Sequence, residues 1–159
     1  VRADLERFRK ELDTDTLDVG LLHCMTSGAW TTELAPCMDV LAEAKAKGIL
    51  RAHGVSCHNL DAMKVASTHP WTDLMLNRIN PHGVKMDGPV EEVLAVLRPA
   101  HANGKGMLGM KIYGEGELAE KGVECIKFAK ELDCIHAMTI GFVTMEDIDG
   151  TIDRFEKAV

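Results

Sequence analysis

The sequence predicts an α/β fold built on parallel strands, and three observations carry that expectation. Five apolar runs, Leu17–Cys24, Ile49–Ser56, Asp73–Asn80, Gly106–Ile112 and Cys134–Gly141, are each followed by a helix-like segment. Strand-then-helix units in succession are the pattern of a parallel sheet, and their spacing of about 30 residues matches one such unit. The first run also delivers a histidine, His23, toward its C-terminal end, which is where parallel α/β folds place their chemistry.

The elements follow in order. The chain enters on a helix, Arg2 to Leu12, with Leu5, Phe8 and Leu12 spaced along one apolar face. After the first strand, Thr31 or Thr32 is suited to cap a helix through about Lys47, with Leu34, Met38 and Leu41 on its buried side and Gly48 as its stop. Asn59 or Asp61 begins a shorter helix that ends before His69-Pro70, because a residue preceding proline is pushed out of helical geometry. Trp71 is expected to pack at the rim of the sheet.

The loop Asn80 to Pro89 is rich in turn formers and long for a strand-to-helix joint, as a segment covering a site would be. Glu91 and Glu92 then suit the positive amino end of a helix running to His101. Glu117 to Leu132 supplies the next helix. Thr144 opens the last one with an acid three residues on, Asp147, and that helix runs out at Val159.

Composition bounds the rest. A chain of 159 residues, 46% hydrophobic, is enough for one sizeable core, so residues 1–159 are expected to form one compact domain rather than a disordered chain. The 25 acidic residues outnumber 18 basic ones, and no basic cluster tracks a nucleic-acid backbone. No apolar stretch approaches the roughly 20 residues of a membrane helix, and the amino end does not resemble a signal peptide. Five cysteines without Cys-x-x-Cys spacing read as reduced thiols, which points to the cytoplasm.

Side chains alternate along a strand, so His23 shares a face with Leu21 and Val19, Ser56 with Gly54 and Ala52, and Arg78 with Leu76 and Asn80, while Lys111 points with Gly109. If those faces are inward, His23, Ser56, Arg78 and Lys111 ring one mouth of the sheet. They would combine a histidine for hydrogen bonding or proton transfer with two cations for an anionic ligand. The plain alternative for His23 is a satisfied core histidine; Arg78 and Lys111 weigh against it, because charges inside a core are paired or functional.

His53 shares a face with Val55 toward the helices and reads as structural, whereas His69, His82, His101 and His136 read as surface or loop residues. His23-Cys24 and Cys57-His58 end neighbouring strands, but alternation sends the members of each pair to opposite faces, so no metal site is expected. Gly114-Glu115-Gly116 suits either a tight turn or the close approach of backbone amides to a phosphate.

With these residues placed, the chain resembles the C-terminal part of the aldo-keto reductases, a (β/α)8-barrel family. The stretch Asp13 to His23 is similar to the family's turn and fourth strand, Lys47 to Ser56 to its fifth, Asn80-Pro81 to the end of its sixth, Gly114 to Leu118 to the turn after its seventh, and Thr139 to Gly141 to the start of the loop after its eighth.

The resemblance implies a partial barrel of strands four to eight and an NAD(P)H-dependent reduction of a carbonyl to an alcohol. It makes His23 the catalytic residue that hydrogen-bonds the substrate carbonyl. Ser56, Cys57, Lys111, Gly114, Gly116, Gly141 and Phe142 would lie along NADP(H) or NAD(H), with Arg78 and Asn80 in the substrate pocket.

Several positions depart from the family pattern. Cys57 replaces an asparagine, Leu76 a nicotinamide-binding glutamine, and Met110 a stacking tyrosine, while Gly141 and Asp147 stand where cations hold the NADPH 2′-phosphate. The family's Asp, Tyr and Lys lie on its first three strands, and the sole tyrosine here, Tyr113, follows the seventh. A complete barrel takes about 250 residues, so the chain is expected to be a truncated one, lacking the N-terminal half of the barrel as its partner.

Three alternatives stand beside this reading. One is a ligand-binding barrel without turnover. Another is a barrel enzyme in which Lys111 and Arg78 grip an anionic substrate or Lys111 forms a Schiff base. The third, at the level of fold, is a five-stranded doubly wound sheet.

Overall fold

The structure, a computed structural model, describes residues 1–158. It has five parallel strands alternating with helices, and it divides into two compact units, Val1–Met75 and Leu76–Val159.

In the first unit α1 (Arg2–Glu11) buries Leu5 and leaves Phe8 and Leu12 exposed. Strand β1 (Leu17–Met25) pairs in parallel with β2 (Leu50–Cys57), Leu17 opposite Leu50 and Leu22 opposite Val55. The register slips between Leu22 and Met25, where Cys24 takes a left-handed φ of 65°. A left-handed non-glycine residue in a strand is uncommon, and here it interrupts the strict alternation of faces.

The predicted capping by Thr31 or Thr32 is not what occurs. A short helix, α2 (Trp30–Glu33), precedes α3 (Ala35–Ala46), and neither has a side-chain cap. Pro36, in the first turn of α3, has no N–H to continue a helix and sets this break, while Trp30, 1% exposed, anchors α2, its indole N–H donating to the Ala62 carbonyl at 3.3 Å. The stop is as expected, with Gly48 at φ 74° and the Ile49 N–H returning to the Ala44 carbonyl.

Helix α4 (Leu60–Thr68) starts on Asn59, whose side-chain oxygen accepts the N–H groups of Asp61 and Ala62, and it ends before Pro70 as predicted. Strand β3 (Leu74–Arg78) begins beside β2, the Asp73 N–H donating to the His53 carbonyl.

His53 has the structural role expected of it. It is buried, its ring stacks on Trp71 at 4.3 Å, and its Nδ1 lies 3.4 Å from the Asp73 carboxylate, which also takes Lys45 at 2.5 Å. Burial pushes the His53 pKa below its ordinary value despite the pull of Asp73. Burial works to raise the Asp73 pKa, but hydrogen bonds from Lys45 and the His53 N–H outweigh it and leave that pKa lowered.

The unfolded chain binds a proton on His53 that the folded chain refuses, so this contribution is present above a pH of about 6.5 and is lost as the pH falls below it. The contribution of Asp73 is lost only nearer a pH of about 4. The urea midpoint is expected to fall between about pH 7.5 and 5.5, and His53→Phe, which keeps the stacking, is expected to flatten that step. An unchanged slope in the variant would assign the pH response elsewhere.

In the second unit the strands stand in chain order β3, β4 (Gly106–Met110), β5 (Ala137–Met138), with β4 and β5 parallel and Leu108 opposite Ala137. Helix α5 (Val90–Ala102) carries Glu91 and Glu92 in its first turn and buries Val93, Leu94 and Leu97. The fifth strand is much shorter than the predicted Cys134–Gly141; among the described residues it pairs with β4 alone, and its ladder ends at the Thr139 N–H, which donates to the Gly109 carbonyl.

The helix expected from Glu117 starts later, as α6 (Gly122–Glu131), behind two 3-10 turns, Gly114–Gly116 and Ala119–Lys121. Gly114, Glu115 and Gly116 all have positive φ, which holds the chain out of a right-handed helix. Helix α7 (Met145–Lys157) is capped as predicted: Thr144 accepts the Asp147 N–H, and the Asp147 carboxylate accepts the Thr144 N–H. Its predicted end at Val159 lies outside the described residues.

Among the described residues, no helix is long and apolar enough to cross a membrane.

Candidate functional site

Each unit gathers part of the predicted site. In the first, β1 and β2 end side by side and bring His23 against Ser56, Nδ1 to Oγ at 3.1 Å. Ser56 is 1% exposed, and its Oγ also accepts the Cys24 N–H at 2.8 Å, which the left-handed turn at Cys24 directs toward it. His23 as a residue is exposed.

The ring of His58 stands edge-on to His23, their centres 5.6 Å apart, and the His58 N–H donates to the Met25 carbonyl at the strand end. Cys57, by contrast, is completely buried. A hydrogen-bonded imidazole with an exposed outer edge at a strand terminus is equipped to hold a polar ligand group or exchange a proton with it.

In the second unit Arg78 Nη1 lies 3.2 Å from Asp87 Oδ1, and the Asp87 side chain is 2% exposed. Burial pushes the Asp87 carboxyl up, a tendency opposed by the Arg78 charge. Asn80 is wholly buried and fully engaged: its Nδ2 donates to the carbonyls of Val84 and Lys111, and its Oδ1 accepts from His82 and Val84. Its work is to organise the loop of residues 80–89 and fasten it to the end of β4. That is a different task from the pocket contact expected of it.

Lys111 has a left-handed φ of 56°, and its ammonium is held 3.0 Å from Glu115. Lys111, Tyr113, Gly116, Thr139 and Gly141 share a cavity of about 610 Å³ between the turn after β4 and the segment after β5. A Cβ added at Gly116 or Gly141 would meet nothing within 4 Å.

Gly114 serves packing instead, since a Cβ there would stand 2.7 Å from Val84. Phe142 lies in a neighbouring groove beside β5 with Phe155. Tyr113 is committed within the unit, its hydroxyl 3.4 Å from Thr151 and its ring under the Arg154 guanidinium.

Four participants escaped the sequence reading. Glu115 was detectable, four residues after Lys111. Asp87, Cys24 and His58 acquire their roles only through the loop path and the register slip, which no local pattern announces. Among the described residues, no group of three or more His, Cys, Asp or Glu side chains is placed to hold a metal ion.

Comparison with known proteins bears on this arrangement. No curated protein matches the chain. Solved structures do: an assigned aldo-keto reductase from Pseudomonas aeruginosa superposes with a TM-score of 0.79 at 20% identity, covering 99% of this chain and 58% of that one. The aldo-keto reductase AKR11C1 of Bacillus halodurans, in its holo form, gives 0.73 at 12% identity over 97% and 58%. The glycerol dehydrogenase AKR11B4 of Gluconobacter oxydans gives 0.63 at 14% over 99% and 64%.

The chain therefore spans less than two thirds of the length of these proteins, and the likeness establishes the partial-barrel fold. The model of the aldo/keto reductase family matches residues 1–137, most of the 159, and the chain belongs to that family.

Proposed function

We propose that this chain supplies the carbonyl-positioning histidine and a dinucleotide cradle of an NAD(P)H-dependent reductase that converts an aldehyde or ketone to an alcohol. The observation that carries the reading is the His23–Ser56 hydrogen bond at the C-terminal ends of adjacent parallel strands, in a chain of this family.

The residues present fit a dinucleotide. The cavity beside Lys111 lies within the range of about 300–1,000 Å³ usual for cofactor sites, and the open positions at Gly116 and Gly141 leave room for a ligand to reach the backbone. When bound, the reduced nicotinamide supplies the hydride. Lys111, Gly116, Thr139 and Gly141 would line the dinucleotide, and His23 would orient the carbonyl and hold hydrogen-bond density at its oxygen as charge develops there.

The protonating acid is proposed to come from outside these residues, because the one tyrosine is engaged with Thr151 and Arg154. The chain alone is accordingly expected to bind dinucleotide but not to turn over. Arg78 and Lys111 are each held by a carboxylate, which favours this reading over one in which they grip an anionic substrate.

Hydrogen bonds from Val143 and Thr144 keep the Asp147 carboxyl below its ordinary range, so it stays anionic next to a cavity-lining residue. NADH is therefore expected to bind at least as well as NADPH, whose extra phosphate meets that charge.

Titration calorimetry with both dinucleotides tests this. Binding that weakens about tenfold or more in Gly141→Leu, at a position where an added Cβ meets nothing within 4 Å, in a chain that keeps the wild-type urea midpoint, supports the cradle. No binding of either dinucleotide would contradict it.

A further inference from the structure

We infer that Ser56 is a positioning residue: it fixes His23 in the tautomer that carries its proton on Nε2, leaving a donor on the exposed edge of the ring. A serine hydroxyl has one proton to give and two lone pairs to receive with, and a neutral imidazole has one protonated and one bare nitrogen. Ser56 Oγ already receives the Cys24 N–H at 2.8 Å, and its other partner among the described residues is His23 Nδ1 at 3.1 Å.

Ser56 is 1% exposed, so its proton is not given to solvent. If Nδ1 carried the hydrogen, two donors would converge on Oγ and the buried hydroxyl proton would have no acceptor. The cost of such an orphan biases the equilibrium by about ten- to a hundredfold toward the alternative. In that alternative Ser56 donates to a bare Nδ1, and the ring proton sits on Nε2.

The backbone is arranged to the same end. Cys24 takes a left-handed φ of 65° at the slip in register between β1 and β2, and that turn presents its N–H to Ser56. The Cys24 N–H fills one of the hydroxyl's receiving positions, so the serine is oriented to donate to the ring. The neighbouring His58 meets His23 edge-on through ring contact, its centre 5.6 Å away.

This deepens the reductase reading, on which its functional meaning rests: a donor on Nε2 is what the oxygen of a carbonyl needs, and the opposite tautomer would present a bare lone pair. Ser56 thus acts through His23 and need not touch the substrate.

Two-bond 15N–1H spectra of the histidine-labelled 159-residue chain at about pH 8, where imidazole is neutral, read the tautomer without turnover. The His23 signals are identified by their loss in His23→Gln. The expected wild-type result is a protonated-type shift on Nε2 and a bare-type shift on Nδ1. Ser56→Ala is expected to reduce that preference by about tenfold, and Ser56→Thr, which keeps the hydroxyl, to retain it.

A wild-type proton on Nδ1, or a folded Ser56→Ala chain with the wild-type ratio, overturns the inference. The wild-type spectrum decides even where a variant does not fold. Nε2–H in a protein that reduces no carbonyl would locate the failure in the reductase reading and leave the tautomer assignment standing.

Discussion

Gly54→Ala is expected to destroy the cooperative folding of the first unit. A Cβ at this position in β2 would stand 1.8 Å from the Leu74 carbonyl oxygen and 2.7 Å from its carbon, which are backbone atoms at the start of β3. A flexible side chain swings aside at little cost, but a paired backbone does not. Relief requires the two strands to part where the Asp73 N–H meets the His53 carbonyl.

The cost is placed at or above about 3 kcal/mol, the upper end of ordinary overpacking, against total stabilities of about 5–15 kcal/mol for whole domains. Urea unfolding is expected to show a collapsed midpoint or no cooperative transition. Gly150→Ala is the matching control: it lies inside α7, a Cβ there meets nothing within 4 Å, and helix propensity predicts a gain of about 0.5–1 kcal/mol. A Gly54→Ala chain unfolding at the wild-type midpoint would refute the close approach of β2 to β3.

His23→Ala is expected to lower kcat/KM for carbonyl reduction by about 10²–10³, in any preparation of the protein containing this chain that turns over. The figure is the usual cost of deleting one hydrogen-bond donor to a developing oxyanion. The effect is expected mainly in kcat, since the donor matters most when charge has built up on the oxygen. Loss of the ring also leaves the buried Ser56 hydroxyl without its acceptor, so the urea midpoint is expected to fall by an amount worth about 1–3 kcal/mol, and kcat is compared where both chains remain folded, which separates a chemical loss from a folding one. Loss of activity together with loss of the fold would leave His23 a structural residue.

The order of elements was legible because it rests on local patterns: apolar runs of strand length, Asn59 and Thr144 as caps, Gly48 and Pro70 as stops. What local patterns do not hold was lost. The early start at Trp30 goes with its contact to Ala62, 32 residues away in sequence, whereas the break itself falls at Pro36, a local signal that a single continuous helix passes over. The delayed start of α6 and the slip at Cys24 depend on left-handed φ values at Glu115 and Cys24, residue types that carry no signal for that conformation.

The site divides the same way. His23 and Ser56 were identifiable by their places at strand ends, and the structure joins them. The carboxylate Asp87, which engages Arg78, arrives on a loop whose path is set by the buried amide of Asn80, and strand alternation is silent about loops.

The measurement that tests the account most directly is carbonyl-dependent oxidation of NADH and NADPH by the protein containing this chain, over a broad panel of aldehydes and ketones. The account predicts turnover with at least one carbonyl, supported by NADH no less than by NADPH, and lost about 10²–10³-fold in His23→Ala. Dinucleotide that binds yet is oxidised by no carbonyl, or turnover that survives His23→Ala undiminished, would contradict it.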